Sequence, residues 1–356
     1  MSAASKQFCL PTGTHIVFVG DSTLRYQYLM LAYAIAYGRE WQPLTPSSGA
    51  TPSMQQRLGS TIDHNWTAFY LETNAMLNTS TSHEHCDCYR RRGEHAKGVK
   101  TPIIENRYFV HAPSNVRLTY LEAFHRGEQC HGTWWPGDPD AWRTPHAAFA
   151  PRWTIPLPQL VRTLLPVLLA PSIATNTAVV LNLGHWLAMN RTHPRLLPAE
   201  FDALGTAAND SLPQGAQFYW STTTTCPLHR GKPSKSAPAC SMQESSCKWS
   251  TSRLKHTWCA STWDSTRFEA SAARAAGFRV FDSFKSTQLL HDDDYLDGLH
   301  LTLPNVCALN LELLHELGFV HRREACAPRR GGRMRNDAAR DAFRGPEIKL
   351  LMPCVT

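Results

Sequence analysis

The chain predicts an α/β protein: a three-layer α/β/α sandwich whose central, mainly parallel sheet of about five strands carries helices on both faces and long, disulfide-stapled loops. Three observations predict it. Five short segments, "HIVFVG", "VRLTYLEAF", "AVVLNLG", "QFYWSTT" and "FRVFDS", are apolar on both sides, as strands covered on both faces must be. Helical patterns lie between them. Residues 41–105 and 223–260 have no strong period and hold most of the Cys, Ser, Thr and His. Loops of that length in a compact domain are usually functional or stapled.

The first strand surrounds Ile16 and gives way at Gly20 to a helix in which Leu24, Tyr28, Leu31 and Ile35 recur at spacings of four, three and four. Gly20 permits the turn and Gly38 marks the stop. The second strand begins at Val116. "PQLVRTLLPVLLA" from Pro158 reads as a helix that Pro166 kinks or ends early, since proline has no backbone N–H to continue the ladder. Strands follow from Ala178 and Gln217, then the helix "DSTRFEASAARAAGF" from Asp264, the strand from Phe278 and the last helix from Pro304. No repeat or polar linker divides the 356 residues. Residues 1–328 therefore read as one domain with insertions near 41–105 and 223–260, and 329–356 as a basic tail.

The net charge of +7 is modest, and much of it lies in the tail "RREACAPRRGGRMR". A nucleic-acid face would interleave basic residues with aromatics, so no nucleic-acid partner is expected. Eleven cysteines and four N-x-[ST] sequons, at Asn65, Asn78, Asn190 and Asn209, point to an oxidising lumen. Cys86, Cys88, Cys130, Cys226, Cys240, Cys247 and Cys259 cluster in irregular segments and are expected to pair as disulfides, with the odd total leaving at least one thiol free or paired between chains. "MSAASKQFCL" is not a signal peptide, and no run of about 18 apolar residues exists to span a bilayer. The expectation is a Golgi-lumenal or secreted protein whose targeting or anchor segment is absent from this sequence, with no membrane contact by the residues present. "HEHCDC", with His83, His85, Cys86 and Cys88, is too tightly spaced for the usual zinc knuckle. Disulfides account for it better, and neither a metal nor a bound cofactor is expected.

Chemistry is suggested at two places. Ser22 stands where the first strand becomes a helix, in "VGDSTLRYQ". Two readings stay open there: a helix N-cap, for which Ser and Asp are preferred, and a nucleophile presented to the crevice at a strand's C-terminal end. Asp21 is expected to cap the helix or brace the turn. Far along the chain, "DGLH" puts Asp297 and His300 three residues apart in a turn before the last helix. A serine nucleophile needs an imidazole base, and the imidazole a carboxylate that orients it, so Ser22, His300 and Asp297 form a candidate triad. Arg25, one helical turn past Ser22, can bind an acceptor carboxylate, support the triad from behind, or be an exposed helix residue. Trp134, Trp135 and Trp142 in "HGTWWPGDPDAW" can line a sugar cleft or pack within loops.

"GDSTLRYQ" and "DGLH" resemble the first and last sequence blocks of the GDSL/SGNH hydrolase superfamily. Within it the PC-esterase group is most similar, which includes the plant trichome birefringence-like polysaccharide O-acetyltransferases and the N-terminal domain of sialate O-acetyltransferases. "VVLNLGHW" from Val179 is similar to the "FNTGHW" string of the plant members, and Arg25 and Gln27 fall where many of them carry Arg and Gln. The resemblance implies an SGNH-like fold over residues 14 to 320 and an acetyl-Ser22 intermediate, with His300 as base and Asp297 orienting it. The implied activity is carbohydrate O-acetyl transfer, with O-acetylesterase as the alternative and a non-catalytic glycan-binding module as the second. The implied partners are a glycan acceptor and an acetyl donor. Oxyanion donors are expected from the Ser22 N–H and from Asn182, Gly184 or His185. For Asn182 and His185 a purely structural role at the strand end remains open. The superfamily's usual Gly and "GxND" blocks are not cleanly present.

Overall fold

The sheet is built outward from β1 (Thr14–Gly20), every residue of which is buried. The computed structural model describes residues 10–38, 76–88, 105–125, 129–132, 153–169, 176–185, 196–225, 257–290, 294–295 and 300–319. Among these lie eight further strands: β2 (Ser82–Cys88), β3 (Glu105–His111), β4 (Val116–His125), β5 (Gln129–Gly132), β6 (Trp153–Ile155), β7 (Asn176–Asn182), β8 (Gln217–Ser221) and β9 (Arg279–Phe281). The order is β2-β3-β4-β1-β7-β8-β9. β4, β1, β7, β8 and β9 are parallel neighbours. β3 and β2 continue the sheet antiparallel beyond β4, and β5 and β6 extend it off β4.

Side chains alternate across β1, and the two sets enter different cores. Ile16 and Phe18 join the apolar cluster under α1 (Ser22–Tyr37) and α6 (Leu303–Glu316). Val17 and Val19 join the cluster under three other helices. These are α2 (Leu157–Gln159, continued by Leu160–Leu164 and Leu165–Leu169), α3 (Pro198–Ser211) and α4 (Thr257–Ala275). A short α5 (Ser283–Thr287) follows β9. Helices thus cover both faces, which is why the parallel strands read as continuous apolar runs.

All five expected strands are present and form the parallel block, but four more accompany them. β2 and the start of β3 fall inside the stretch 41–105 that sequence reads as loop, and α4 begins at Thr257, inside 223–260. The reason at β2 is a buried ion pair. Ser82 and Glu84 face inward. The Arg107 guanidinium donates to both Glu84 carboxylate oxygens at 3.1 Å, and the Tyr28 hydroxyl donates to Oε1 at 3.0 Å. A strand whose inward residues are polar gives no apolar alternation to read. Pro166 neither ends nor breaks α2. The preceding turn, Leu160–Leu164, is π-helical, and this widening accommodates the ring that would otherwise press on the carbonyl four residues back.

Cys307, buried on α6, is disulfide-bonded. The side chains of the cysteines expected to pair between Cys86 and Cys259, the three tryptophans at 134, 135 and 142, and the tail 329–356 lie outside the described residues. No helix among the described residues is long and apolar enough to cross a membrane.

Candidate active site

β1 has β4 on one side and β7 on the other. The chain leaves β1 through α1 on one face and leaves β7 toward α3 on the opposite face. Where consecutive connections part to opposite faces, a crevice opens at the strands' C-terminal ends. The ends of β1 and β7 meet there in register, Gly20 beside Asn182. Gly20 is required by this approach, for a Cβ on it would stand 2.0 Å from the Asn182 carbonyl oxygen. Tyr120 on β4 fixes the turn that follows, its hydroxyl reaching the carbonyls of Gly20 at 2.9 Å and Asp21 at 3.1 Å.

Asp21, not Ser22, is the N-cap of α1. Its Oδ1 accepts from the Thr23 N–H at 2.8 Å, and its Oδ2 accepts from the His185 N–H at 3.1 Å, across the crevice floor. One carboxylate therefore caps the helix and ties the β1 turn to the β7 turn. With the cap supplied by Asp21, the Ser22 hydroxyl has another partner: its Oγ lies 2.8 Å from His300 Nε2. Both residues are partly exposed.

His300 reaches this place because the segment before α6 is anchored on several sides. Thr302, the N-cap of α6, donates its N–H to the Asp294 carbonyl at 2.8 Å. The Asn305 amide donates to the Asp294 carboxylate at 3.0 Å and to Thr302 Oγ1 at 2.9 Å. Tyr295 bridges to Leu301, and its hydroxyl is 2.5 Å from that of Thr225. α6 in turn lies on α1, with the Asn310 amide donating to the Gln27 carbonyl at 2.8 Å. Asp297, the expected orienting carboxylate, lies outside the described residues.

The other expected site residues divide. Asn182 is buried and donates its amide to the Ser221 carbonyl at 2.5 Å, with Thr223 Oγ1 at 3.5 Å. The His185 ring is buried, with Nε2 3.3 Å from Thr224 Oγ1. These contacts, and the His185 N–H on Asp21, engage both residues inside the fold, the structural role that sequence left open for them. Gly184 has φ +61°, and a Cβ there would stand 1.7 Å from Asp21 Oδ2, so it is the residue that lets the carboxylate approach. Arg25 is not an exposed helix residue: it is 3% exposed, with its guanidinium carbon 4.9 Å above the Tyr26 ring.

Two groups of site residues escaped the sequence reading. One is the run Ser221–Thr225, all buried, whose hydroxyls and backbone join β7, α5 and the Tyr295 segment. Thr222 Oγ1 accepts from the Phe284 N–H at 2.9 Å, and the Thr225 N–H donates to Thr287 Oγ1 at the same distance. A run of threonines signals a strand edge or a loop equally well, and nothing in it marks a scaffold. The other is Tyr26, whose ring stands against His300. No three His, Cys, Asp or Glu side chains among the described residues converge as metal ligands would. No family profile matches the chain, and no curated protein matches it either.

Proposed function

We propose that the protein is a serine-dependent acyl-transfer enzyme, a carbohydrate O-acetyltransferase working through acetyl-Ser22. The observation that carries this reading is the 2.8 Å contact between Ser22 Oγ and His300 Nε2 at a crevice between β1 and β7. The three sequence blocks that resemble the PC-esterase group of SGNH hydrolases support it, as does a parallel sheet covered on both faces.

With Nε2 unprotonated, the Ser22 hydroxyl donates to it, and Oγ attacks the acetyl carbonyl as its proton passes to the ring. The carbonyl electron pair moves onto oxygen, for which the Ser22 N–H, in the first turn of α1, is the expected donor. Asn182, Gly184 and His185, at the other side of the crevice, are the candidates for a second donor. Collapse of the tetrahedral species expels the donor's leaving group, which takes the proton from His300. The same ring then removes a proton from the acceptor hydroxyl, which attacks acetyl-Ser22 and restores the free serine. If water takes the acceptor's place, the identical intermediate makes the protein an O-acetylesterase. Asp297 is assigned the orienting role by the resemblance.

The test is intact-mass analysis after mixing with p-nitrophenyl acetate, with and without a panel of glycans, for the wild type, Ser22→Ala and His300→Ala. The wild type should gain one acetyl group and pass it to a glycan or to water. Both variants should stay unmodified while remaining folded, since the cap of α1 is Asp21. An acetylated Ser22→Ala protein with unimpaired turnover would remove covalent serine catalysis.

A further inference from the structure

We propose that Tyr26 is a positioning residue of the Ser22–His300 pair: its ring is a wall against which the imidazole is held with Nε2 toward Ser22 Oγ. The inference rests on the acyl-transfer reading for its catalytic consequence, and on geometry alone for the contact. Ser22 opens α1 and Tyr26 stands four residues on, so both occupy one face of the helix. Side chains on a helix lean toward its N-terminus, which carries the Tyr26 ring back over the turn that holds Ser22. There it meets His300 with ring centroids 4.8 Å apart and planes at 83°, within the range of a favourable edge-to-face pair.

The contact answers a mechanical need. The hydrogen bond at Nε2 fixes a point of the ring, and the tilt of the plane about that point depends on what packs against its face and edge. A perpendicular aromatic ring against the imidazole restrains that tilt. Tyr26 is itself only 9% exposed, and the Arg25 guanidinium lies 4.9 Å above its ring, so the wall is fixed in turn. Tyr26 lies off the stripe of Leu24, Tyr28, Leu31 and Ile35 that sequence assigns to the core, and in the structure it joins the edge of the same apolar cluster while its ring also meets His300.

The experiment compares Tyr26→Leu and Tyr26→Phe with wild type in the full chain. One measurement is the rate of Ser22 labelling by a fluorophosphonate. The other is the long-range proton–nitrogen NMR spectrum of the His300 ring, identified by its loss in His300→Gln. Tyr26→Leu keeps apolar bulk but no ring and should label about 10- to 100-fold more slowly, as a displaced catalytic group does. Its His300 nitrogens should drift toward an average of tautomers. Tyr26→Phe keeps the ring and should restore both the labelling rate and the spectrum. Should Tyr26→Leu fail to fold, Tyr26→Met fills the site with an unbranched chain and is scored in the same way. Wild-type labelling in a folded Tyr26→Leu protein, with His300 resonances unmoved, would overturn the proposal. If the wild-type serine itself resists the probe, the acyl-transfer reading falls, and the spectrum decides Tyr26: moved His300 resonances support positioning, unmoved ones refute it.

Discussion

Replacing Asp21 by Ala tests the central structural claim, that one carboxylate holds the start of α1 and the end of β7 together. The side chain is 1% exposed, so bulk water does not stand ready to replace it. Its loss leaves the Thr23 N–H without the cap it now has at 2.8 Å, which costs about 0.5–2 kcal/mol. It also strands the His185 N–H, now 3.1 Å from Oδ2, and an orphaned buried donor costs about 1–3 kcal/mol. The two losses together predict a destabilisation of about 1.5–5 kcal/mol. Asp21→Asn keeps one acceptor oxygen and turns an amide NH2 toward the other N–H, so it should recover less than the whole. Equilibrium urea unfolding at neutral pH measures both, and the m-value should stay unchanged. Fluorophosphonate labelling of Ser22 should slow in both variants, because the turn that presents the hydroxyl loses its tie to the opposite strand. A loss under about 0.5 kcal/mol for Asp21→Ala, the range of an ordinary surface substitution, would refute the reasoning.

Gly184→Ala attacks the same junction from the other side. Its left-handed backbone alone should cost about 1–2 kcal/mol, and its Cβ would displace the Asp21 carboxylate, so in an Asp21→Ala background the penalty should shrink in a double-mutant cycle read by urea unfolding. His15 supplies a pH test: burial, reinforced by the Arg117 guanidinium, lowers it to about 3. The unfolded chain therefore binds a proton near pH 6.5 that the folded chain refuses, so this contribution to stability is complete above pH 6.5 and lost as pH falls toward 3. The expected slope is about 1.4 kcal/mol per pH unit in that window. Urea unfolding at pH 7 and pH 5 should show a smaller difference for His15→Gln than for the wild type, and equal differences would contradict it.

The parallel half of the fold was legible because its strands are buried on both faces. "HIVFVG" and "AVVLNLG" are largely apolar because β1 and β7 sit between two cores, with His15 and Asn182 as buried polar exceptions. The antiparallel half was not legible. In β2, Glu84 faces inward and is satisfied by Arg107 and Tyr28, partners 23 and 56 residues away in sequence, and no local window contains that compensation. α3 was missed because its buried face is Phe201, Leu204, Gly205, Ala207 and Ala208, too poor in large apolar residues to stand out as a stripe. Asp21 was read correctly as a cap or brace. That it does both follows only when Gly184 adopts φ +61° and brings the His185 N–H to it.

For the candidate site, sequence picks out Ser22 and His300 as residues but not the packing by which they meet. Ser22 and His300 are 278 positions apart, and each alone is a helix-start residue with an ordinary explanation. What joins them is α6 lying along α1, with Asn310 on the Gln27 carbonyl, and the Thr225–Tyr295 contact that fixes the segment from which His300 projects. Periodicity can assign both helices but not their apposition, because that depends on which face of the sheet each covers. The sheet supplies the crevice, yet the distance between hydroxyl and imidazole is set by helix against helix. Substitutions in the α1–α6 contact, far from the serine in sequence, should therefore act on the pair more directly than equally buried substitutions in β8 or β9.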